Sequence, residues 1–220
     1  MGEQFSGTER FQLIRRLGAG GTGVVYLAHD RLRGTDVALK TLHQDSPYGI
    51  LRLKNEFRHL AEVAHENLVT LHDLHHDGGT WFFTMEYVDG IDFIDWVRPL
   101  HALSGERSLH RDRLYTAFEQ LARGVAALHA AGQLHRDIKP SNLLVDSTGR
   151  VVLLDFGLAT PLDRIDVRDI RGFSGTLEYM APEQTDGRDP LPASDWYSVG
   201  VVLFQALTGV LPFRGKPLQV

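Results

Sequence analysis

The sequence predicts an α+β fold in which strands dominate the first part of the chain and helices dominate the rest. Short segments rich in β-branched and aromatic residues, separated by glycine-containing turns, fill the first part and are typical of strands. In the second part, apolar residues recur at intervals of three and four, which is the period of an amphipathic helix. With 220 residues, the chain is long enough for one large domain or two small lobes.

Composition and charge exclude several classes of protein. Hydrophobic residues make up 43% of the chain, charged residues make up 23% and the net charge is −5, so we expect neither nucleic acid nor an anionic membrane as a partner. No secretory signal is visible, and the longest apolar run, Val199 to Leu207, is shorter than the roughly 20 residues of a membrane span. We interpret this run as a buried core helix. The lack of cysteine excludes disulfides and is compatible with a cytoplasmic location.

A glycine-rich segment lies between the first two predicted strands. Gly18, Gly20 and Gly23 follow the mixed apolar and basic segment 11–17, and glycines at this spacing let a backbone approach phosphates. Dinucleotide-binding folds use the same spacing, but there the glycines open a helix, whereas residues 24–28 favour a strand. A glycine-rich hairpin is therefore the better interpretation, although a simple flexible turn also fits the segment taken alone.

A lysine within an apolar strand and a glutamate on an apolar helix stripe form a candidate pair. Lys40 lies in the predicted strand 37–41, where a lysine is most often an edge or solvent residue. In the following helix, Glu56 shares the inward stripe with Leu53 and Leu60, and a carboxylate there needs a cationic partner to offset its desolvation. Lys40 is the natural candidate for that partner.

Two more strands are predicted at 67–71 and 81–85, around a turn at 77–79. Three histidines flank this turn without a second cluster of ligands, which favours a solvated surface over a metal site. We assign no role to these histidines, which are His72, His75 and His76.

Helices and a loop lead to the most chemically rich segment of the chain. The sequence predicts a short helix at 92–97 and a loop at 98–109. A long helix is predicted from Asp112 to about Gly132. Its apolar positions follow spacings of four and three: Leu114, Phe118, Leu121, Val125 and Leu128.

The segment from His135 to Asn142 carries an acid, a cation and an amide within a few residues. Asp137 can accept a proton, Lys139 can neutralise an anion, and Asn142 offers an amide oxygen to a hard cation. A predicted strand then leads to Asp155, which is followed by phenylalanine and glycine. Carboxylate and amide oxygens suit Mg²⁺, although phosphate oxygens and water would have to complete its coordination.

Taken together, these motifs resemble those of protein kinases. The segments 181–184 and 195–200 are most similar to the bacterial serine/threonine kinases that are related to the eukaryotic ones. The resemblance implies a bilobal α+β fold, with residues 1–10 as an N-terminal tail, 11–87 as a small ATP-binding lobe and 88–220 as a large catalytic lobe.

The resemblance also implies catalytic and metal-binding roles. Asp137 would accept or orient the hydroxyl of a protein serine or threonine, and Lys139 would stabilise the charge of the transferring phosphoryl group. Asn142 and Asp155 would bind Mg²⁺. Asp195 would begin a helix and bond the backbone of segment 135–142, which corresponds to the catalytic loop of the family.

The implied ATP site lies mainly in the small lobe. Lys40 would bind the α- and β-phosphates, and Glu56 would hold Lys40 in place. The other implied ATP-binding residues belong to the glycine loop, the adenine pocket and the hinge: Gly18, Gly20, Gly23, Val25, Ala38, Met85, Glu86, Val88 and Leu144.

An activation loop is implied between Asp155 and Glu183. Its residues 163–171 alternate charge densely, which is typical of a solvated segment, and Arg136 could pair with a phosphate on this loop. The candidate sites of autophosphorylation are Ser174, then Thr160 and Thr176.

The sequence departs from the family pattern at its end. A kinase large lobe normally continues through further helices, one of which supplies an arginine to the glutamate that matches Glu183. We therefore expect a C-terminally truncated large lobe that exposes apolar surface and belongs to a longer chain.

The function implied by the resemblance is transfer of the γ-phosphoryl group of ATP to protein serine or threonine. The alternative is a nucleotide-binding pseudokinase or scaffold fragment without phosphotransfer. The presence of Lys40, Asp137 and Asp155 argues against this alternative, and only the departure at the end of the chain favours it.

Overall fold

The computed structural model forms two compact units. The first unit holds most of residues 5–88, and the second holds most of residues 89–213 together with His65–Leu68. The structure describes residues 5–20, 23–42, 47–100, 109–155 and 177–213.

The first unit is a five-stranded antiparallel sheet with one helix. The strands follow the order β1-β2-β3-β5-β4, so β3 lies in the middle of the sheet. Helix α1 buries Leu53, Phe57 and Leu60, as its apolar stripe predicts. The elements are β1 (Phe11–Gly20), β2 (Gly23–Asp30), β3 (Thr35–Leu42), α1 (Pro47–Ala61), β4 (Leu71–Asp77) and β5 (Thr80–Glu86).

The strand predicted at 67–71 is wrong in all but its last residue, since β4 begins at Leu71. Asn67 is 1% exposed and makes its hydrogen bonds within the second unit. Its Nδ2 donates to Gln120 Oε1 at 2.9 Å and to the Val151 carbonyl at 2.8 Å. Its own carbonyl accepts from the Leu153 amide at 2.9 Å. The bond to the Asn67 carbonyl occupies a backbone group that a β ladder with β5 would have needed.

The two edge strands of the first unit meet through side chains. Arg10, just before β1, lies 3.5 Å from Asp73 on β4, and the rings of Phe11 and His75 are 4.9 Å apart. A core of buried apolar side chains lies within this curled sheet. Its members are Phe11, Tyr26, Ala28, Val37, Leu39 and Phe82.

Asp30 is a buried carboxylate of the first unit, with 1% of its surface exposed. Arg10 donates to both carboxylate oxygens, at 2.9 and 2.6 Å, and the amides of Leu32 and Arg33 donate to Oδ1 at 3.0 and 3.3 Å. The hydrogen bonds from Arg10 lower the pKa of Asp30 to about 2, against the opposing effect of burial. The carboxylate thereby fixes the turn between β2 and β3.

The second unit combines helices with a three-stranded sheet of order β6-β7-β8. Single 3₁₀ turns at Pro140–Asn142 and Leu177–Tyr179 connect some of these elements. The long helix predicted from Asp112 is confirmed as α3. The elements are β6 (Gly90–Asp92), α2 (Phe93–Val97), α3 (Arg111–Ala130), β7 (Leu143–Asp146), β8 (Val151–Leu153), α4 (Pro182–Thr185) and α5 (Pro192–Thr208).

Helix α5 begins at Pro192, so the predicted start at Asp195 is wrong. Proline is favoured at the first helical position because its φ is already helical and it has no amide that needs a partner. The Leu191 amide donates to Ser194 Oγ at 3.0 Å, which fixes this entry. The predicted end at Gly209 is confirmed, since Gly209 has a left-handed φ of 79°.

The interpretation of residues 199–207 as a fully buried helix holds for one face only. Val199 and Val202 are buried, whereas Phe204 and Leu207 are 41% and 49% exposed. Apolar side chains are therefore exposed on one face of α5 among the residues that the structure describes. None of the described helices is both long and apolar enough to cross a membrane.

Candidate active site

The predicted glycine hairpin joins β1 to β2, with Gly20 paired to Gly23 and Gly18 paired to Val25. A Cβ atom added at Gly23, which has a φ of 149°, would lie 1.7 Å from the Thr41 carbonyl oxygen. The packing of the sheet therefore requires Gly23. A Cβ atom at Gly18 or Gly20 would meet no atom within 4 Å. The open space over these two residues leaves their backbone accessible to a ligand, which fits a phosphate cradle.

Lys40 lies on the central strand β3, opposite Val25 on β2 and Phe83 on β5. It is 8% exposed, so the alternative of an edge or solvent lysine does not hold. Its strand neighbour Ala38 pairs with Met85, and both are 5% exposed. A buried cation on this strand is placed to bind an anion from which water is excluded.

Glu56 lies on α1 among the buried residues Leu53, Phe57 and Leu60, and is itself half-buried. The pairing of Glu56 with Lys40 stays a prediction. At the end of β5, the Glu86 amide donates to the Thr70 carbonyl at 2.9 Å. Val88 is the last residue of the predicted hinge, residues 86–88, and is 8% exposed.

In the second unit, Asp195 organises the backbone of the catalytic loop. Its carboxylate is 2% exposed and accepts the amide hydrogens of His135 and Arg136 at 2.9 and 2.8 Å. The Nε2 atom of His129, near the end of α3, lies 2.8 Å from Asp195 Oδ2. The structural role predicted for Asp195 thus has a direct geometric basis in α5, which carries the carboxylate beneath the loop.

His135 is fully buried and joins the catalytic loop to the end of β8. Its Nε2 donates to the Leu154 carbonyl at 2.7 Å, and its Nδ1 accepts from the Asp137 amide at 3.3 Å. Burial lowers the pKa of His135, which agrees with a neutral ring that donates at one nitrogen and accepts at the other.

Asp137, Lys139 and Asn142 come together as the sequence predicts. Lys139 Nζ lies 2.8 Å from Asp137 Oδ2, and Asn142 Nδ2 donates to the same oxygen at 3.0 Å. Asn142 Nδ2 also donates to the Asp137 carbonyl at 2.8 Å. The Asp137 side chain is 32% exposed, so it is held in place and still accessible to a substrate.

The two predicted metal ligands lie near one another. The Leu154 amide donates to the Asn142 carbonyl at 2.8 Å, so Asp155 directly follows a residue that is bonded to Asn142. Because Asn142 uses its amide nitrogen to bond Asp137, the side-chain oxygen is the atom suited to bind a cation. A carboxylate and an amide oxygen fit Mg²⁺. Within the described ranges, no group of three or more His, Asp or Glu residues forms a metal site. Phosphate oxygens and water would therefore have to complete the coordination of a bound Mg²⁺.

Segment 181–184, which lies at the end of the implied activation loop, also contacts the catalytic loop. Gln184, on α4, is 9% exposed and donates from Nε2 to the Arg136 carbonyl at 3.1 Å. Its Oε1 accepts from the Ala181 amide at 3.0 Å. Glu183 accepts a hydrogen bond from Ser194 Oγ, and this bond lowers the pKa of the glutamate.

Tyr179, at the end of the preceding 3₁₀ turn, ties the same segment to α5. Its hydroxyl donates to Gln205 Oε1 at 2.7 Å, and its carbonyl accepts from Ser198 Oγ at 2.7 Å. Burial raises the pKa of Tyr179 to about 12. Tyr179 therefore acts as a neutral hydrogen-bond donor at physiological pH.

The sequence did not single out His129 or Gln184. A glutamine three residues after a helix N-cap is half of a capping box, so the cap formed by Gln184 could have been predicted. No local pattern indicates that Gln184 reaches Arg136 or that His129 reaches Asp195. The candidate phosphorylation sites Ser174, Thr160 and Thr176 lie outside the described residues, as do the two residues that follow Asp155.

Comparison with known proteins gives a match over nearly the whole chain. The family model of the protein kinase domain matches residues 11–219. The serine/threonine-protein kinase PrkC of Bacillus subtilis is 33% identical over 219 residues, which cover 98% of this chain and 33% of PrkC.

Two other bacterial relatives give similar matches. PknA of Mycobacterium tuberculosis is 37% identical over 214 residues, covering 94% of this chain and 48% of PknA. The kinase pkn2 of Myxococcus xanthus is 38% identical over 215 residues, covering 94% of this chain and 25% of pkn2. The chain thus spans between 25% and 48% of the length of these three relatives.

Proposed function

Because the chain belongs to the protein kinase family, we propose that it transfers the γ-phosphoryl group of ATP to serine or threonine hydroxyls of protein substrates. One observation carries the proposal. The carboxylate of Asp137 is fixed by Lys139 and Asn142 and is still 32% exposed, which is the arrangement that a catalytic base for a protein hydroxyl needs.

Asp137 is the proposed base of the reaction. Its carboxylate takes the hydroxyl proton of the substrate as the hydroxyl oxygen bonds to the γ-phosphorus and the bond to the β–γ bridging oxygen breaks, which leaves ADP. Lys139 offers its ammonium group to the charge that spreads over the transferring group. This ammonium group is 2.8 Å from Asp137 Oδ2, so one cation serves both the base and the phosphoryl group.

Asn142 and Asp155 are the proposed ligands of Mg²⁺. When bound, the metal neutralises charge on the phosphate oxygens and orients them for transfer. In the other unit, we propose that Lys40 binds the α- and β-phosphates and that Glu56 orients Lys40. The open backbone at Gly18 and Gly20 supports the approach of phosphates to this hairpin.

We propose that the adenine-binding residues are those implied by the resemblance. Ala38 and Met85 are buried neighbours in the sheet, and Val88 is buried at the end of the predicted hinge, two residues after β5. The remaining members of this set are Val25, Glu86 and Leu144, whereas Gly23 belongs with Gly18 and Gly20 to the proposed phosphate-binding hairpin. A cytoplasmic location is favoured by the absence of cysteine and by a reaction that consumes ATP.

The test of phosphotransfer compares the wild-type chain with Asp137→Asn, using radiolabelled ATP, Mg²⁺ and a generic protein substrate. We expect the variant to lose at least about 100-fold in rate, because removal of a positioned base typically costs 10²–10⁴-fold. Asp112→Asn, an equal change at an exposed position of α3, serves as the matched control and should leave the rate unchanged.

Equal rates for wild type and Asp137→Asn would contradict the assignment of the base. A wild-type chain that binds ATP in calorimetry and transfers no phosphate would instead support the alternative of a pseudokinase or scaffold.

We also propose that Arg136 binds a phosphate on the loop between Asp155 and Glu183. Arg136 Nε is buried and has no hydrogen-bond partner among the described residues, so the guanidinium can still accept an anionic partner. Phosphopeptide mapping after incubation with ATP should find phosphate on this loop, with Ser174 as the first candidate and Thr160 and Thr176 next. A loop without phosphate in an active preparation would contradict this proposal.

A further inference from the structure

The peptide unit at Arg136 is held in a conformation that its own side chain does not favour. Arg136 has a φ of 70°, in the left-handed region where residues other than glycine are uncommon. Arg136 directly precedes the proposed base, Asp137. A relaxation of φ at this position would rotate the following peptide and move the Asp137 carboxylate away from Lys139 and Asn142. Surrounding groups must therefore hold the backbone of Arg136 in place.

Two buried side chains bond the backbone of Arg136 from opposite ends of the residue. Asp195 Oδ1 accepts the Arg136 amide hydrogen at 2.8 Å, and Gln184 Nε2 donates to the Arg136 carbonyl at 3.1 Å. Asp195 is 2% exposed and Gln184 is 9% exposed, so water does not readily replace either bond.

The orientation of the Gln184 amide is fixed by its two partners. The Ala181 amide can only donate, so it requires the amide oxygen of Gln184, and the bond is 3.0 Å long. The Arg136 carbonyl can only accept, so it requires the amide nitrogen. A single side chain thereby closes the N-terminus of α4 and holds the catalytic loop.

We propose that Gln184 is a positioning residue for phosphotransfer, which sets the backbone at Arg136 and so fixes the Asp137 carboxylate. This inference rests on the proposed function and adds a residue to it. The Asp195 carboxylate can accept hydrogen bonds but cannot donate to a carbonyl, so among the described residues Gln184 is the side chain that bonds the Arg136 oxygen. Movement of the segment around Ala181 would then be transmitted to the catalytic base through one hydrogen bond.

Gln184→Glu is the discriminating variant, because a carboxylate keeps an acceptor for the Ala181 amide and loses the donor to Arg136. We expect kcat to fall about 10-fold to 100-fold, since a small misplacement of a catalytic group can have that effect. The KM for ATP should stay within about twofold, because the change removes no phosphate contact. Rates are normalised to folded protein by circular dichroism.

Gln205→Glu is the matched control in the same unit. It makes the same chemical change and keeps an acceptor for the Tyr179 hydroxyl, but among the described residues the Gln205 side chain bonds Tyr179 and not the catalytic loop. We expect kcat within about twofold of wild type for this control. Gln184→Leu, which loses both bonds, should show the fall in kcat together with a lower melting temperature.

The outcomes separate this inference from the proposed function. A wild-type kcat for Gln184→Glu, with instability only in Gln184→Leu, would leave Gln184 as a helix cap and overturn the inference. If the wild-type chain transfers no phosphate, the proposed function fails, and amide hydrogen exchange then tests whether Gln184 holds the backbone at Arg136. Faster exchange at Arg136 and Asp137 in Gln184→Glu than in Gln205→Glu supports this role of Gln184, and equal exchange overturns it.

Discussion

Asp30 and Asp195 are both buried carboxylates, but their partners differ in kind. Asp30, in the first unit, is 1% exposed and forms a two-point ion pair with Arg10 in addition to accepting two amides of the turn after β2. Asp195, in the second unit, is 2% exposed and bonds two amides of the catalytic loop and the ring of His129. A guanidinium balances the first charge, whereas backbone dipoles and an imidazole balance the second.

This difference indicates how each carboxylate is used. The ion pair of Asp30 joins the segment before β1 to the end of β2, so its contribution is to the stability of the sheet. The bonds of Asp195 hold the backbone of the two residues that precede Asp137, His135 and Arg136. We therefore expect loss of Asp30 to change stability and loss of Asp195 to change the rate as well. Three substitutions and one measurement of acid unfolding test this comparison.

Asp195→Asn should have the largest effect. The new amide group can accept only one of the two loop hydrogens and places a donor against the other. We expect kcat per folded molecule to fall about 100-fold and the free energy of unfolding to fall by about 2–4 kcal/mol. Radiolabelled phosphotransfer and urea unfolding measure the two quantities. If Asp195→Asn lowered the stability but kept the wild-type kcat, Asp195 would contribute only to stability, as we expect for Asp30.

Asp30→Asn should reduce the free energy of unfolding by about 2–3 kcal/mol at pH 7, because it removes the charge that Arg10 faces. The kcat per folded molecule should stay within about twofold of wild type. A large fall in kcat would show that this corner of the sheet also controls the reaction.

The same residue predicts a dependence on pH. The pKa of Asp30 is about 2 in the folded chain and near 3.8 in the unfolded chain. Its stabilising effect is therefore present above about pH 4 and lost as the pH falls from 4 to 2. Acid unfolding of wild type should be steeper over this window than that of Asp30→Asn.

His129→Gln should have the smallest effect of the three. Glutamine can still donate to Asp195 Oδ2, but it loses the edge contact between the rings of His129 and Trp196 at 6.0 Å. We expect the free energy of unfolding to fall by about 0.5–1 kcal/mol and the melting temperature by about 1–4 °C. His129→Leu, which removes the donor, should lose more in both stability and kcat. Equal effects of the two variants would show that the hydrogen bond to Asp195 contributes little.

Short-range patterns predicted most of the fold. The glycine hairpin, the long helix α3 and the cap at Gly209 follow from backbone freedom and apolar period, which neighbouring residues determine. The comparisons confirm the resemblance to bacterial serine/threonine kinases and the kinase fold class. The start of β4 and the exposed face of α5 were predicted wrongly, because contacts with distant segments decide both.

The proximity of Asp137, Lys139 and Asn142 could be predicted because only a few residues separate them. Their catalytic and metal-binding roles stay predictions, as do those of Lys40, Glu56 and Asp155. Gln184 and His129 lacked such a signal, since each acts on a residue that lies far along the chain. Gln184 is 48 positions from Arg136, and His129 is 66 positions from Asp195.

The types of element, the family and the set of reactive groups could be predicted from the sequence, because these depend on local spacing and on residue chemistry. The folded structure was needed to show that α5 brings the Asp195 carboxylate beneath the catalytic loop and that α4 brings the Gln184 amide to the Arg136 carbonyl. A buried polar group is stabilised by whichever partner folding brings within hydrogen-bond distance, and the spacing of residues along the chain does not specify that partner.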